Sequence, residues 1–438
     1  MLFLFVGIIV LILALYLGIR TGGLGIAYAA GLGLFIYTMV LGIAPGNIPI
    51  NVVFIIMTVI GTIAVLELSG GLDYMVLIAE KILRSNPRYI NVLAPITTFC
   101  LTVLVGTQHS SYSLMPVIIE IAKKNNIKPV RPLSTSIIAA QVGVTSSPVA
   151  AAVVAFSGLL IPLGISLPKL LLIVFPASLI AIVIVGLLQN LLPQALDKDK
   201  NYLQLLQNGN LKEIKAQNGL NKEVKKGAKL TVGLFLLSIV LIVIYASFPS
   251  LKPTYSNGYK IDNAQMIMIT MLAIAYVMIN FTKVKISDLV NQKTFKAGMS
   301  AAVCVIGVAW LGDTLITHYT HDINVIAGNV LTTYSWLFSI VLFVVAVFLY
   351  SQAATVAAII PIAISLGLSP LTLVASFVAV NALFVLPTYP TVIAANQMDY
   401  TGTTKIGKYV FNHSFMLPGV LVIFFAVILA YIIAGVVL

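Results

Sequence analysis

The sequence predicts an all-α integral membrane protein, because its composition is apolar, its hydrophobic runs are long and its charges are few. Of 438 residues, 60% are hydrophobic and 9% are charged, and the mean hydropathy is +1.07. Soluble globular proteins carry about 25% charged residues. The apolar runs reach the roughly 17–25 residues that a helix needs to cross a bilayer. They exclude a transmembrane β-barrel, whose strands alternate over about ten residues.

The net charge of +12 is explained by basic loops on the cytoplasmic side of a membrane. We therefore expect the lipid bilayer, and no nucleic acid, as a partner. Both cysteines, Cys100 and Cys304, lie in apolar runs and are expected to be packed thiols. The sequence has no CxxC pattern and no His spacing typical of a metal site, so we expect no metal and no cofactor.

Ten membrane-spanning helices are predicted from the apolar runs. They cover residues 2–19, 24–42, 49–68, 132–163, 168–192, 229–247, 264–281, 296–312, 370–397 and 410–437. The segment 72–88 is amphipathic, and we expect it to lie along the membrane surface. The longest polar stretch, residues 194–228, divides the chain near its middle and is expected to be a cytoplasmic linker.

Two further apolar units, residues 90–122 and 332–366, are predicted to be re-entrant helical hairpins. In the first, "GTQHSSYS" interrupts the apolar run, and only residues 113–122 follow before a basic loop. A helix of that length rises about 15 Å, half of the roughly 30 Å hydrocarbon core. The second unit is equally short after "YSQAAT". Polar tips inside a membrane are tolerated where they are buried in protein or line a watery cavity.

The basic residues support this topology. With the N-terminus outside, all but three of the 25 Lys and Arg residues fall in cytoplasmic loops, the exceptions being Lys169, Lys252 and Lys260. This distribution follows the positive-inside rule. It places both termini outside and requires the two hairpins to enter the membrane from opposite sides.

The two halves of the chain share one order of elements and are predicted to form an inverted repeat. The N-terminal repeat covers 1–193 and contains hairpin 90–122 and a broken helix, 132–163. The linker 194–228 separates it from the C-terminal repeat, 229–438, with hairpin 332–366 and broken helix 370–397. Five crossings in each half reverse the orientation of the second repeat. This is the architecture of secondary transporters, with the binding site near the midplane where helices are broken.

The four polar stretches at the tips and breaks are the predicted binding site. Their hydroxyl and amide groups donate hydrogen bonds to carboxylates, and the helix N-termini that begin there favour anions. Two poles, one from each repeat, would suit an anion with two carboxylates. The candidate substrate-binding residues are Thr107, Gln108, His109, Ser110, Thr145, Ser146, Ser147, Ser351, Gln352, Thr355, Thr388 and Tyr389.

Three titratable residues are candidates for proton coupling. His109 lies at the first tip and could bind substrate, carry a proton or only donate a hydrogen bond. Glu67 and Asp313 are carboxylates near the ends of predicted spans. Ionisable residues inside membranes often mark proton relays, but interfacial charges or helix-end caps are the favoured explanation of these two positions.

Several long motifs resemble the anaerobic C4-dicarboxylate transporter (Dcu) family. They are "GGLDYMVLIAEKILRSNPRYI", "RPLSTSIIAAQVGVTSSPVAAAVV", "FKAGMSAAVCVIGVAWLGDT", "YSQAAT" and "LPTYPTVIAANQMDYTGTTKIGKYVFNHSFMLPG". The resemblance covers nearly the whole chain, and the aspartate- and fumarate-uptake branch is the most similar. It implies a carrier of fumarate, malate, aspartate and succinate in the bacterial inner membrane, with periplasmic termini. It also implies exchange of external fumarate or aspartate for internal succinate, and proton-coupled uptake as a further mode.

One residue departs from the family's pattern at the first tip. Gln108 stands where the family has a small residue, which would narrow the cavity or add a substrate contact. The alternative functions are a proton- or sodium-coupled dicarboxylate symporter and an intramembrane enzyme. We expect no enzyme, because the Gly-x-Ser-x-Gly nucleophile pattern is absent. The architecture also allows a homodimer formed through the scaffold helices.

Overall fold

The computed structural model describes most of the chain. The described residues are 2–21, 24–48, 50–208, 224–253, 255–259, 261–349, 351–387, 389–407 and 412–438. They form helices joined by short connections, with two isolated β-bridges. The all-helical prediction is therefore confirmed for the part of the chain that is described.

The described part of the first half contains ten α-helices. They are α1 (Leu2–Thr21), α2 (Gly25–Phe35, continued by a π-helical turn), α3 (Ile50–Leu68), α4 (Gly71–Ser85), α5 (Ile90–Val105), α6 (Ser111–Lys124), α7 (Val130–Thr145), α8 (Ala151–Leu160), α9 (Leu167–Gln189) and α10 (Lys200–Gln207). Helices α5, α7 and α9 pack together. Their facing residues, including Phe99, Ile137 and Ile173, are fully buried in the main core.

In the second half, the described residues form eight α-helices. They are α11 (Ala228–Ser247), α12 (Asn263–Thr282), α13 (Lys293–Thr333, kinked at Tyr319), α14 (Leu337–Leu349), α15 (Gln352–Ser365), α16 (Pro370–Ser376), α17 (Pro390–Met398) and α18 (Met416–Val437). A 3₁₀ segment, Phe377–Phe384, continues α16. Helix α18 packs on α9 and on this segment, which joins the two halves of the chain through one apolar core.

Both predicted helix breaks are present. Helix α7 ends at Thr145, and α8 begins at Ala151 after a residue in extended conformation, with Pro148 between them. In the second half Pro387 follows the 3₁₀ segment, and Pro390 opens α17. Proline cannot donate the backbone hydrogen bond of a helix interior but is well tolerated in a first turn. The proline spacing therefore explains both interruptions.

Both units predicted as hairpins are pairs of helices joined by a polar turn, and the first arm, α5 with the turn before it (Pro87–Val105), is long enough to cross a membrane by itself. Helices α5 and α6 flank Gly106, whose φ of +74° ends α5. Helices α14 and α15 flank Ser351. The returning helices α6 and α15 have 14 residues each and so rise about 21 Å, less than the hydrocarbon core. This length agrees with a re-entrant path, which remains a prediction.

Five of the described helices are long and apolar enough to cross a membrane by themselves. A sixth span is possible if α3 and α4, which meet at a bend of 71°, are counted together. The predicted ten crossings need the broken and shorter helices to cross as well. Helix α4 packs against α5, α6 and α11 and buries Met75 and Leu83. One face of α4 therefore contacts the rest of the protein, and the other face points outward.

The first part of the predicted linker docks against the protein. Ala195 forms a β-bridge with Ile127, and Leu196 is buried beside it. Asp199 caps α10 by accepting the backbone N–H groups of Asn201 and Tyr202. Its carboxylate also lies 2.9 Å from the ammonium of Lys128. Residues 194–208 therefore connect to the loop before α7, whereas residues 209–223 lie outside the described part.

A buried carboxylate holds the loop after α17. Asp399 accepts hydrogen bonds from the hydroxyls of Thr401 and Thr403 and from the backbone N–H of Thr404 at 2.7 Å. Thr403 in turn accepts the backbone N–H of Val130, at the start of α7, at 3.1 Å. This loop ties the second broken helix to the first, at the end of the molecule that carries the linker.

The ion pair at the linker leads to a prediction about pH. Burial raises the pKa of Asp199, but hydrogen bonds from Lys128 and the N–H groups of Tyr202 and Asn201 outweigh it and lower the pKa below its usual range. A lowered carboxyl pKa stabilises the fold above the unfolded-state value of about 3.9, and this stability is lost as the pH falls through the folded-state value. Asp199→Asn keeps the cap but removes the charge.

We expect Asp199→Asn to lower the free energy of unfolding by about 1 kcal/mol or less near pH 7, because the pair is partly exposed. The difference from wild type should disappear as the pH falls below about 4. Thermal unfolding of both proteins in detergent at a series of pH values measures this difference in stability. Asp288→Asn, at an exposed position, is the control. An equal difference at all pH values would contradict the ion-pair explanation.

Candidate functional site

A cavity of about 550 Å³ lies at the turn between α5 and α6. It fits a drug-sized or smaller ligand. Three of the predicted binding residues line it, together with two carboxylates, one ammonium and several other groups from α3, α4, α5, α6, the segment before α11 and the start of α13. The lining residues are Glu67, Leu72, Asp73, Val76, Leu101, Val105, Thr107, His109, Ser110, Tyr112, Ser113, Lys225, Gln292 and Thr294.

The first tip is shaped by its own backbone and hydroxyl groups. Gly106 takes a positive φ, and a Cβ there would lie 3.0 Å from the side chain of Val149 in the first break. Thr107 is extended and accepts the backbone N–H of His109. Ser110 bonds the carbonyl of Thr107 at 3.0 Å and pairs with Thr102 of α5 at 3.1 Å. These contacts hold Thr107, His109 and Ser110 at the cavity wall.

His109, in the turn between α5 and α6, has an aromatic neighbour in the first turn of α6. Its imidazole stacks on the ring of Tyr112, with centroids 5.6 Å apart and planes 13° apart. Both rings line the cavity. The stacking therefore sets the orientation of the imidazole at the cavity wall.

Gln108 does not line this cavity. Its side chain is buried, and its amide donates a hydrogen bond to the hydroxyl of Tyr389, which opens α17 in the other half of the chain. Two residues predicted to belong to one site, 281 positions apart, are thereby brought into contact. The contact joins the first tip to the second break.

The residues of the first break are buried and bond mainly within their own segment. Thr145 and Ser146 donate to the carbonyl of Val142, and Ser147 accepts the N–H of Val149. Such bonds to nearby backbone are common for Ser and Thr in helices. Thr145 is the exception, because it also accepts a hydrogen bond from the side chain of Asn381 at 2.9 Å.

The second tip is held in an amide network and is not part of the cavity. Ser351 caps α15 by accepting the N–H of Ala354, and Thr355 bonds the carbonyl of Ser351 at 2.8 Å. Gln352 donates to the side-chain oxygen of Asn381 at 2.7 Å and to the backbone carbonyl of Gln141 at 3.0 Å. The remaining predicted residue, Thr388, lies outside the described residues.

Sequence reasoning missed Gln141 and Asn381, which connect the second tip to α7. Both are fully buried. Each is an isolated amide in an apolar run, in "AAQVG" and "VNALF". An amide in a predicted membrane helix is a signal that could have identified them, because such groups bond across helices.

The two carboxylates proposed for proton coupling differ in position. Glu67 lines the cavity and accepts the backbone N–H of Thr294 at 3.1 Å. Asp313 is not among the lining residues, and it accepts the backbone N–H of Asn47 at 2.5 Å. Asp313 therefore ties the loop before α3 to α13. Within the described ranges, no group of three His, Cys, Asp or Glu residues could hold a metal ion.

The chain was compared with protein families. Residues 3–438 match the family described as the anaerobic C4-dicarboxylate membrane transporter, DcuA_DcuB. The chain belongs to this family. The resemblance inferred from the sequence motifs is thus confirmed over almost the whole length.

Curated relatives agree with this assignment. The C4-dicarboxylate transporter DcuA of Wolinella succinogenes is 46% identical over 98% of this chain and 99% of its own length. DcuA of Escherichia coli K12 is 44% identical with the same coverage. The anaerobic C4-dicarboxylate transporter DcuB of an Escherichia coli O6:H1 strain is 36% identical over 94% of both chains.

A solved structure with the same fold is that of the YdaH transporter of Alcanivorax borkumensis. It superposes with a TM-score of 0.51, covering 93% of this chain and 88% of the other at 14% identity. The Dcu family member described here is therefore a multi-pass membrane protein of a transporter family and not an enzyme.

The amide network yields a prediction about stability. Asn381→Ala would leave Gln352 without one acceptor and Thr145 without a donor, and a buried polar group that loses its partner costs about 1–3 kcal/mol. We expect a clear fall in the thermal unfolding temperature in detergent. Asn280→Ala is the matched control, because Asn280 is exposed and bonds the carbonyl of Tyr276 in its own helix. Equal effects of the two substitutions would contradict the role of the network.

Proposed function

We propose that this protein exchanges C4-dicarboxylates across the bacterial inner membrane, taking up fumarate or aspartate and releasing succinate. The observation that carries the proposal is the cavity at the first tip, in a chain that belongs to a C4-dicarboxylate transporter family. Malate is a further substrate of the same class. Exchange of fumarate for succinate trades one dianion for another, moves no net charge and requires no coupling cation. Aspartate also carries an ammonium group and is a monoanion near neutral pH, so its exchange for succinate moves one charge unless a proton accompanies it.

The chemistry of the first tip supports an anionic substrate. Thr107 offers a hydroxyl donor, His109 lines the cavity with its imidazole, and Lys225 adds a positive charge beside the carboxylates of Glu67 and Asp73. The hydroxyl of Ser110 donates to the carbonyl of Thr107, so in this conformation it can only accept a hydrogen bond from a ligand. Helix α6 begins at this point, so its N-terminus contributes a partial positive charge. Thr107, His109, Lys225 and this N-terminus would bind one carboxylate of the substrate.

We further propose ten membrane crossings and two re-entrant hairpins, arranged as inverted repeats at 1–193 and 229–438 about the linker 194–228. In this topology Lys225, Gln292 and Thr294 are cytoplasmic. Because these residues line the cavity, the conformation is open toward the cytoplasm. Both termini are then periplasmic, and a homodimer would form through scaffold helices outside the site.

One observation favours an alternative, proton-coupled uptake. Glu67 and His109 line the same cavity, so a proton could be exchanged between a carboxylate or imidazole and the entering substrate. Asp313 is less suited to this role, because it is not among the residues of the cavity wall. A sodium-coupled symporter would need cation-binding oxygens, and the broken helices could supply carbonyl ends.

The first test is uptake of labelled fumarate and aspartate into proteoliposomes at fixed pH without sodium. We expect uptake only when succinate is present inside, because exchange needs a counter-substrate. Uptake into empty vesicles that follows an imposed pH gradient would contradict exchange and support proton symport. Uptake that requires sodium would support the sodium-coupled symporter.

The site itself is tested by Thr107→Ala and Thr107→Ser. Loss of a hydrogen bond to a charged group costs about 1.5–3 kcal/mol, so we expect Thr107→Ala to reduce substrate affinity at least about tenfold. Thr107→Ser keeps the hydroxyl and should therefore keep the wild-type substrate affinity. His109→Gln should retain exchange but lose any pH-driven uptake. Wild-type affinity in Thr107→Ala would contradict this site.

A further inference from the structure

Three buried side chains between the two halves of the chain have polar atoms without a hydrogen-bond partner among the described residues. They are the carbonyl oxygen of the Gln108 amide, both polar atoms of the Gln141 amide and the hydroxyl of Thr391. The exposed fractions are 5% for Gln108 and 0% for Gln141 and Thr391. None of the three lines the open cavity.

The segments that carry these side chains pack against each other. Helix α7, with Gln141, contacts both the turn 108–110 and α17, where Thr391 occupies the first turn. Gln141 shares a face of α7 with Thr145, because residues four apart lie above one another on a helix. Thr145 bonds Asn381 of the second repeat. The side chain of Gln141 therefore lies on the face of α7 that is turned toward the second repeat.

The second tip also meets α7 at this residue. Gln352 bonds the backbone carbonyl of Gln141, and Gln108 bonds Tyr389, two residues before Thr391. The second tip thus meets α7 at Gln141, and the first tip meets the start of α17 close to Thr391. Gln141 is one turn before the break of α7, and Thr391 is at the start of the helix after the other break.

Unpartnered polar groups are unfavourable in a folded interior. Each costs about 1–3 kcal/mol when buried without a hydrogen bond, and buried polar groups are nearly always satisfied. An amide can donate to a carboxylate through its N–H groups and accept from a hydroxyl or ammonium through its oxygen. Turning the Gln108 amide over would exchange the atom that meets Tyr389, and one polar atom would still have no partner.

We propose that Gln141 is a substrate-binding residue that, with Gln108 and Thr391, receives one carboxylate of a C4-dicarboxylate in an occluded position between the two repeats. The contact between Gln108 and Tyr389 separates this position from the open cavity, and the position forms when the first tip moves away from α17. This inference rests on the proposed transport of dicarboxylates and adds the residues that hold the substrate after it leaves the cavity.

The test separates a ligand role from a structural role by measuring stability and affinity together. Gln141→Met keeps the length of the side chain and removes both unpartnered atoms. We expect the unfolding temperature of the substrate-free protein to stay the same or rise, because a buried unsatisfied amide is lost. The affinity for succinate and aspartate, measured by calorimetry on the purified protein, should fall at least about tenfold, as expected for a lost hydrogen bond to a charged group.

Gln189→Met is the matched control. Gln189 is also buried with an unpartnered side-chain oxygen, but it lies at the end of α9 beside Gln194, away from the tips. We expect its substitution to leave succinate affinity unchanged. Thr391→Val removes the second group without altering Gln141 and should lower the affinity by a similar factor to Gln141→Met, also without loss of thermal stability.

Two outcomes overturn the inference while leaving the proposed function intact. One is wild-type affinity in both Gln141→Met and Thr391→Val. The other is a lowered unfolding temperature with unchanged affinity in either variant, which would show that the group is structural. Failure of the wild-type protein to bind or exchange succinate, fumarate and aspartate would instead overturn the proposed function. If Gln141→Met does not accumulate, Thr391→Val and Gln108→Met decide the question by the same two measurements.

Discussion

The interior of a membrane contains no water, so every interrupted helix must find partners for its free backbone groups within the protein. Both tips and the first break contain backbone groups that are satisfied in this way. Thr107 accepts a backbone N–H at the first tip, Ser351 does so at the second, and Ser147 does so in the first break. The hydroxyl residues that made these stretches conspicuous are thus engaged partly in holding the turns. Whether their hydroxyl groups can also bind a ligand depends on which side of each turn faces a cavity.

The two tips share a local design. In each, an extended hydroxyl residue caps the helical turn that follows it, and the next residue is glutamine. Gln108 reaches Tyr389 in the second half of the chain, and Gln352 reaches the carbonyl of Gln141 in the first half. A movement of either tip would therefore alter its contact with the broken helix of the other half.

The two tips have different surroundings although their local structures are similar. The first tip faces a cavity of about 550 Å³ that also contains Glu67 and Lys225. The second tip is enclosed with Asn381 and α7. The two tips therefore differ in their access to open space. Helix α4, bent by 71° from α3, supplies part of the open wall.

The sequence by itself determined the helical membrane class, the two helix breaks at prolines, the two helix pairs with polar turns, and the family. Each of these depends on local composition, helix length or contiguous motifs. It also identified Thr107, His109 and Ser110, which share one wall. Only the tertiary structure decided that Gln108 is turned away toward Tyr389, that the second tip is enclosed, and that Gln141 and Asn381 join the tips. These contacts link residues more than 200 positions apart in all but one case. Their geometry is set by how apolar helix faces pack, which the polar motifs do not encode.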